Sequence, residues 1–343
     1  MNAHPSLPNP SPIMELATAY WNSQVLFTAN RLNLFKQLSQ TPRTVDEIAA
    51  ELGTQVRPTR FLLNACVGLG LLEKEQERYS NNPLTETFLV PGRPTFMGNA
   101  IAYSHDLYTT WGKLEQCLFE DKPMLAPENY LGTDAEKTRH FVYGMHNRAL
   151  GTASALVELV DLSGREQLLD VGGGPGTYSC LLTGRNPGLH SQVMDLPGIT
   201  LHADDIIASM GKQAQVTTYP GDYHTTEFPK PNDVVLISGV FHRETEDDCR
   251  KLIQKASDSL SDDGMLIISD VFSDQGGSSP VFATLFAINM MLTAEHGGVH
   301  SDAEVMLWMQ EAGFDGIESK MFPPPMPHRL VVGYKRSDSG RRT

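Results

Sequence analysis

Three carboxylates recur where apolar runs give way to loops: Asp170, Asp195 and Asp222. The first leads a glycine-rich turn, Leu168-Leu169-Asp170-Val171-Gly172-Gly173-Gly174-Pro175-Gly176. Glycine permits a tight turn and lets a ligand approach the backbone closely. A carboxylate directly before the glycines suits a ligand with a cationic amine and would sit awkwardly beside a pyrophosphate. Asp195 closes the next apolar run in Met194-Asp195-Leu196-Pro197, where an acid can accept from both hydroxyls of a ribose. Gly221-Asp222-Tyr223 follows the expected third strand, where the acid or its backbone neighbours can hold an adenine amine. Each acid alone reads as a solvated loop carboxylate. Three at the ends of successive strands face one crevice, because ligands of open α/β sheets sit at the strands' carboxyl ends. A nicotinamide dinucleotide site would show a similar glycine turn, and Asp170 argues against it.

The elements that position these acids are legible from texture. From Gln167 the chain alternates helical stretches with the runs LLDVGG, SQVMDLP, DVVLISGVF and MLIISDVF. Continuous apolar runs read as strands buried on both faces, hence a parallel sheet covered by helices. Residues 94–160 read as helical throughout, so the α/β half is expected at 161–343 and a helical N-terminal domain at 1–160. Within the latter, Met14–Leu38 has helical spacing. Thr44 with Glu47 forms a capping-box pattern stopped by Gly53, and a second helix runs from Arg57 to Leu69. Two short strand-like pieces follow, around Leu71–Lys74 and Arg78–Ser80. This is the outline of a winged helix. Only Arg57 and Arg60 are cations on the second helix, and duplex DNA needs several phosphate contacts. A dimerisation or substrate-lid module is therefore the preferred reading over a DNA-binding regulator.

The formal net charge of −14 also makes nucleic acid a poor partner. Hydrophobic residues at 40% suffice for an ordinary core. The scattered Cys66, Cys117, Cys180 and Cys249 fit neither a zinc site nor a disulfide framework. With no basic-then-apolar leader and no 18-residue apolar run, a cytoplasmic protein without a membrane partner is expected. The proline-rich start up to Pro12 and the tail SDSGRRT are expected to be floppy.

The segments DVGGGPGTYS, VMDLPGIT, PGDYH and SDDGMLIISDVF resemble the S-adenosylmethionine-dependent small-molecule O-methyltransferases, which include plant caffeic-acid-type, acetylserotonin-type and bacterial secondary-metabolite enzymes. The likeness runs from the N-terminal helices to about Lys335. It implies a Rossmann-like catalytic domain, S-adenosyl-L-methionine as cofactor and a homodimer built through the N-terminal region. It also implies Gly172, Gly174, Asp195, Leu196, Asp222, Tyr223 and Ser238 around the cofactor. By the same resemblance His242, after the fourth strand, is the base that removes the acceptor's hydroxyl proton. Asp270 and His300 align with two acids that assist it. Arg243 and His300 depart from the family pattern, which also includes N- and C-methylating members and some without methyl transfer. The helix after Pro280 would line the acceptor pocket with Phe286, Asn289 and Met290, closed by Trp111, Met145 and His146. The pocket is mostly apolar and aromatic, so a small aromatic or polyketide-like acceptor is expected. His242, His296 and His300 invite a metal, but His296 and His300 straddle two glycines and methyl transfer from a sulfonium needs none. No metal is expected.

Overall fold

A computed structural model describes residues 8–125 and 134–336. The chain divides into two compact units, one up to Asp106 and one from Leu107 onward. The helices between 107 and 160 thus group with the unit that carries the sheet, whose first strand starts at Gln167. The first helix starts at Ser11 with Pro12 in its first turn, earlier than the floppy start expected from the prolines. Proline fits there because the first helical N–H groups need no partner. The remainder of that lead-in, residues 1–7, and the SDSGRRT tail lie outside the described residues.

In the first unit, Thr44 caps helix Val45–Leu52 through the full reciprocal box, and Gly53 ends it in the left-handed region at φ 65°. Helix Val56–Gly68 follows. Strands β1 (Arg43–Thr44), β2 (Leu72–Glu75) and β3 (Arg78–Asn81) form a small antiparallel sheet in the order β1-β3-β2. Leu34, Phe35, Ile48, Leu63 and Tyr79 fill its core.

The second unit carries a seven-stranded sheet among the described residues. Its strands are β4 (Gln167–Val171), β5 (His190–Asp195), β6 (Val216–Pro220), β7 (Asn232–Ser238), β8 (Leu260–Asp270), β9 (Phe314–Met321) and β10 (Arg329–Lys335). The order is β6-β5-β4-β7-β8-β10-β9. β4 to β8 are parallel, as the two-sided burial of β4, β5, β7 and β8 predicts. β10 alone is reversed, antiparallel to both of its neighbours β8 and β9, and departs from the all-parallel expectation. β9 is an edge strand with mostly exposed residues, so it lacks the apolar run that betrays a central strand. Alternate residues supply two cores. Leu169, Val235, Ile237 and Ile268 pack with Leu252 and Trp308 on one face. Leu168, Val234, Leu236 and Ile267 pack with Leu156 and Leu182 on the other. No helix among the described residues is long and apolar enough to cross a membrane.

The turn after β4 is held by geometry that only glycine tolerates. Gly172 lies at φ 65°, and a Cβ there would stand 2.6 Å from Val240 Cγ2. Gly172→Ala should therefore destabilise the protein by about 1–3 kcal/mol. A chemical denaturation midpoint equal to that of the wild type would contradict this account.

Candidate active site

The glycine turn joins β4 to helix Thr177–Arg185. Gly172, Gly174 and Gly176 are all left-handed, and nothing lies within 4 Å of where a Gly174 side chain would begin. That open face is the cradle. Beneath it, Asp170 is fully buried and accepts from Ser179 Oγ at 2.6 Å, while Ser191 donates to Ser179 at 2.8 Å. Its second oxygen, Oδ1, is enclosed without a partner. The carboxylate lies against Gly173, whose Cβ would meet it at 2.6 Å. Asp170 thus supports the turn from below, where the sequence had suggested a group held out to a ligand.

Asp195 is the second fixed point. Its Oδ2 accepts from Gly174 N at 2.8 Å and its Oδ1 from Leu196 N at 2.7 Å. Burial raises this carboxyl to about 6, against the opposing pull of both N–H groups and the Arg243 charge. Gly221 N donates to the Asp195 carbonyl at 2.9 Å, and Asp222 Oδ1 accepts from His224 N at 2.8 Å. Lys255 holds the same loop by donating to the carbonyls of Tyr223 and Thr226. Tyr223 lies beside Gly172 and donates its hydroxyl to Glu244 at 2.7 Å. Burial, reinforced by the Glu244 charge, pushes the Tyr223 hydroxyl well above its ordinary range. Glu244, directly after Arg243, is buried and also meets His224 Nε2 at 3.3 Å. It ties this loop to the turn that carries His242. Ser238 ends β7 with its hydroxyl against that of Tyr178.

His242 sits in the short 3-10 turn Phe241–Arg243 directly after β7. Because β7 pairs with β8 in parallel, Ser238 against Ser269, the end of β8 brings Asp270 beside that turn. His242 Nδ1 meets Asp270 Oδ1 at 2.7 Å, and Val271 N donates to the same oxygen at 2.7 Å. Burial would raise the Asp270 carboxyl. The His242 charge and hydrogen bond, the Val271 N–H and the nearby His328 outweigh it and hold the carboxyl below its usual range. An ionised carboxylate can only accept, so the His242 ring donates to it from Nδ1 and leaves Nε2 on its far side.

Not all expected residues join this pair. The His300 Nε2 meets the Glu244 carbonyl at 3.1 Å and Cys249 Sγ at 3.6 Å, and its ring packs edge-on to Trp308. Among the described residues no hydrogen bond links it to His242 or Asp270. His296 is exposed, and no cluster of three metal-ligating side chains forms among the described residues. His146 Nδ1 meets Thr177 Oγ1 at 2.8 Å, which places it at the glycine turn's helix. Helix Val281–Thr293 meets His242 directly. The Phe286 ring stands edge-on to His242 at 5.0 Å, and Phe282 stacks on Phe286 at 5.9 Å. Trp111 Nε1 donates to Asn289 Oδ1 at 2.8 Å. Met290 is buried and Met145 half-buried.

This sheet, its glycine turn and the acids at its strand ends define a nucleoside-binding α/β enzyme domain. The chain belongs to the O-methyltransferase family: the family model of the O-methyltransferase domain matches residues 111–315, and that of the O-methyltransferase dimerisation domain matches residues 14–91. It is similar to the 3-hydroxy-5-methyl-1-naphthoate 3-O-methyltransferase of Streptomyces sahachiroi, 32% identical over 96% of this chain and 97% of that protein. It is also similar to the tetracenomycin polyketide synthesis 8-O-methyltransferase TcmO of Streptomyces glaucescens, 27% identical over 98% and 99%. The fold matches that of human N-acetylserotonin methyltransferase, solved in complex with SAM, with a TM-score of 0.87 at 21% identity, covering 98% of this chain and 100% of that one. S-adenosylmethionine is the cofactor that goes with this family.

The residues present fit that cofactor: an open glycine cradle, a buried carboxylate oxygen without a partner, and a second acid at the next strand end. Burial lifts Asp170 to about 7, with Asp195 adding to it. A carboxyl whose folded pKa exceeds its unfolded value near ~4 keeps its proton longer when folded, so stability falls as pH rises from about 4 to about 7. Asp170→Asn removes that loss. The unfolding free energy of the variant minus that of the wild type should climb by up to a few kcal/mol across this window. Urea denaturation at low and neutral pH without cofactor measures it, and a pH-independent difference would show that Asp170 is already ionised at the acid end.

Proposed function

We propose that this protein moves a methyl group from S-adenosylmethionine to a hydroxyl of a small aromatic or polyketide-like acceptor, with His242 as general base. The observation that carries this reading is the 2.7 Å contact between His242 Nδ1 and a buried, ionised Asp270. When bound, the cofactor supplies an already activated methyl on a sulfonium, so the protein's work is positioning and proton removal. His242 Nε2 takes the acceptor's hydroxyl proton. Asp270 keeps the ring in the correct tautomer and stabilises the resulting imidazolium.

Gly172, Gly174, Asp195, Leu196, Asp222 and Tyr223 hold the cofactor, with Asp170 offering its unpaired oxygen's charge to the cationic end. Phe282 and Phe286 clamp a flat ring beside His242, and the Trp111–Asn289 pair with Met145 forms a further wall. The names of the two Streptomyces relatives, which act on a hydroxynaphthoate and in polyketide synthesis, support an aromatic acceptor. His300 and His146 serve as packing and loop-positioning groups in this reading. The N-terminal unit, with its helix-helix-hairpin order of a winged helix, makes the homodimer.

His242→Ala should lower turnover by ~10²–10⁴-fold, while the affinity for S-adenosylhomocysteine persists. Both are read by product-resolved mass spectrometry with a phenolic panel and by calorimetry. Retained turnover in the variant would remove His242 from the chemistry, and N-methylated product would overturn the acceptor atom.

A further inference from the structure

One titratable group beside the His242–Asp270 pair has no role in the mechanism above. His328 stands at the end of segment 322–328, immediately before β10. The β8–β10 register pairs Arg329 with Asp270, so His328 lies one residue from the partner of the acid that holds His242. Its ring is tilted against Phe322, centroids 5.8 Å apart. Asp270, His242 and, from helix Ala135–Leu159, Arg148 are the charged groups that act on it. Nδ1 is enclosed without a hydrogen-bond partner, and Nε2 has none among the described residues, although part of the residue remains accessible. Folded chains leave few buried polar atoms unpaired, and each calls for an explanation.

We propose that His328 orients the acceptor, a ring nitrogen hydrogen-bonding a second substrate oxygen that neighbours the hydroxyl facing His242. This rests on the methyl-transfer reading and narrows its substrate class to phenols with an adjacent (ortho or peri) hydroxyl or carbonyl. With His242 on Asp270 and His328 one residue from that acid's strand partner, the two imidazoles stand at one strand end and address oxygens that are close together on the acceptor. Burial depresses the His328 pKa, and the His242 and Arg148 charges add to this against the pull of Asp270. The ring is therefore neutral near neutral pH. A neutral imidazole donates from one nitrogen and accepts at the other, so it can serve either a hydroxyl or a carbonyl. Turning the ring about Cβ–Cγ exchanges which edge is enclosed, so the unpaired nitrogen can be offered to a ligand without moving the backbone.

The probes are 2,3-dihydroxynaphthalene and 2-naphthol, which differ by the neighbouring oxygen. Wild-type protein should favour the diol by about 10-fold in kcat/KM, roughly the effect of one buried hydrogen bond. His328→Phe, whose ring can keep the Phe322 contact, should bring the ratio towards one with melting temperature and S-adenosylhomocysteine affinity unchanged. His328→Gln should restore part of it. A ratio near one in wild type, or one unaltered in His328→Phe, overturns the proposal. Absence of turnover with both compounds would count against methyl transfer to phenols. The same ratio is then taken from dissociation constants with S-adenosylhomocysteine-loaded protein, where equal affinities or no binding of either compound overturn the role of His328.

Discussion

Buried negative charge at the carboxyl ends of the parallel strands is the constraint around which the second unit is organised. Asp170, Asp195, Glu244 and Asp270 are all nearly or fully inaccessible. An ionised carboxylate is costly to bury unless donors surround it. The fold supplies those donors one by one. Asp195 receives Gly174 and Leu196 N–H groups, Glu244 receives Tyr223, and Asp270 receives Val271 and His242. Each satisfied acid therefore fixes a loop: the glycine turn, the 221–226 loop, and the turn carrying His242. Asp170 alone is left half satisfied, with Ser179 on one oxygen and nothing on the other. The demand for a cation is thus concentrated at one point of the cleft, under the open cradle of Gly174.

That distribution suits a reaction in which positive charge moves but does not vanish. On the proposed reading, the sulfonium's charge is lost on methyl transfer and an imidazolium appears on His242. Asp270 then faces the new cation. A preorganised field of this kind stabilises charge where it develops without reorganisation at the moment of reaction. The Phe286 ring, edge-on to His242, places an apolar neighbour beside that site.

Much of this was legible in the sequence because period and spacing report backbone placement. Two-sided burial betrayed β4, β5, β7 and β8, and the acids at their ends fell where the strand–loop transition required. The Thr44–Glu47 box and the Gly53 stop appear as read. β9 escaped because an edge strand with mostly exposed residues looks like loop, whereas β10 lies inside the sheet with only the short apolar run Leu330–Val332 to mark it. The sequence split at 160 followed the onset of strands, whereas packing joins helix Ala135–Leu159 to the sheet through Leu156 in the core with Leu168 and Leu182.

Side-chain direction was the harder quantity. His146, His300 and His328 all lie in the unit that carries the base, and nothing in their spacing says which way each ring turns. His146 turns to Thr177 and supports the helix after the glycine turn. His300 turns to the Glu244 carbonyl, so it bears on the same loop junction that Tyr223 and Glu244 close. Its ring also packs edge-on to Trp308. Asp270 is therefore the sole acid paired with His242 among the described residues. The tautomer of His242 then hangs on one hydrogen bond, and that bond is fixed by the parallel register of β7 on β8, two strands whose apolar runs stand out most plainly in the chain.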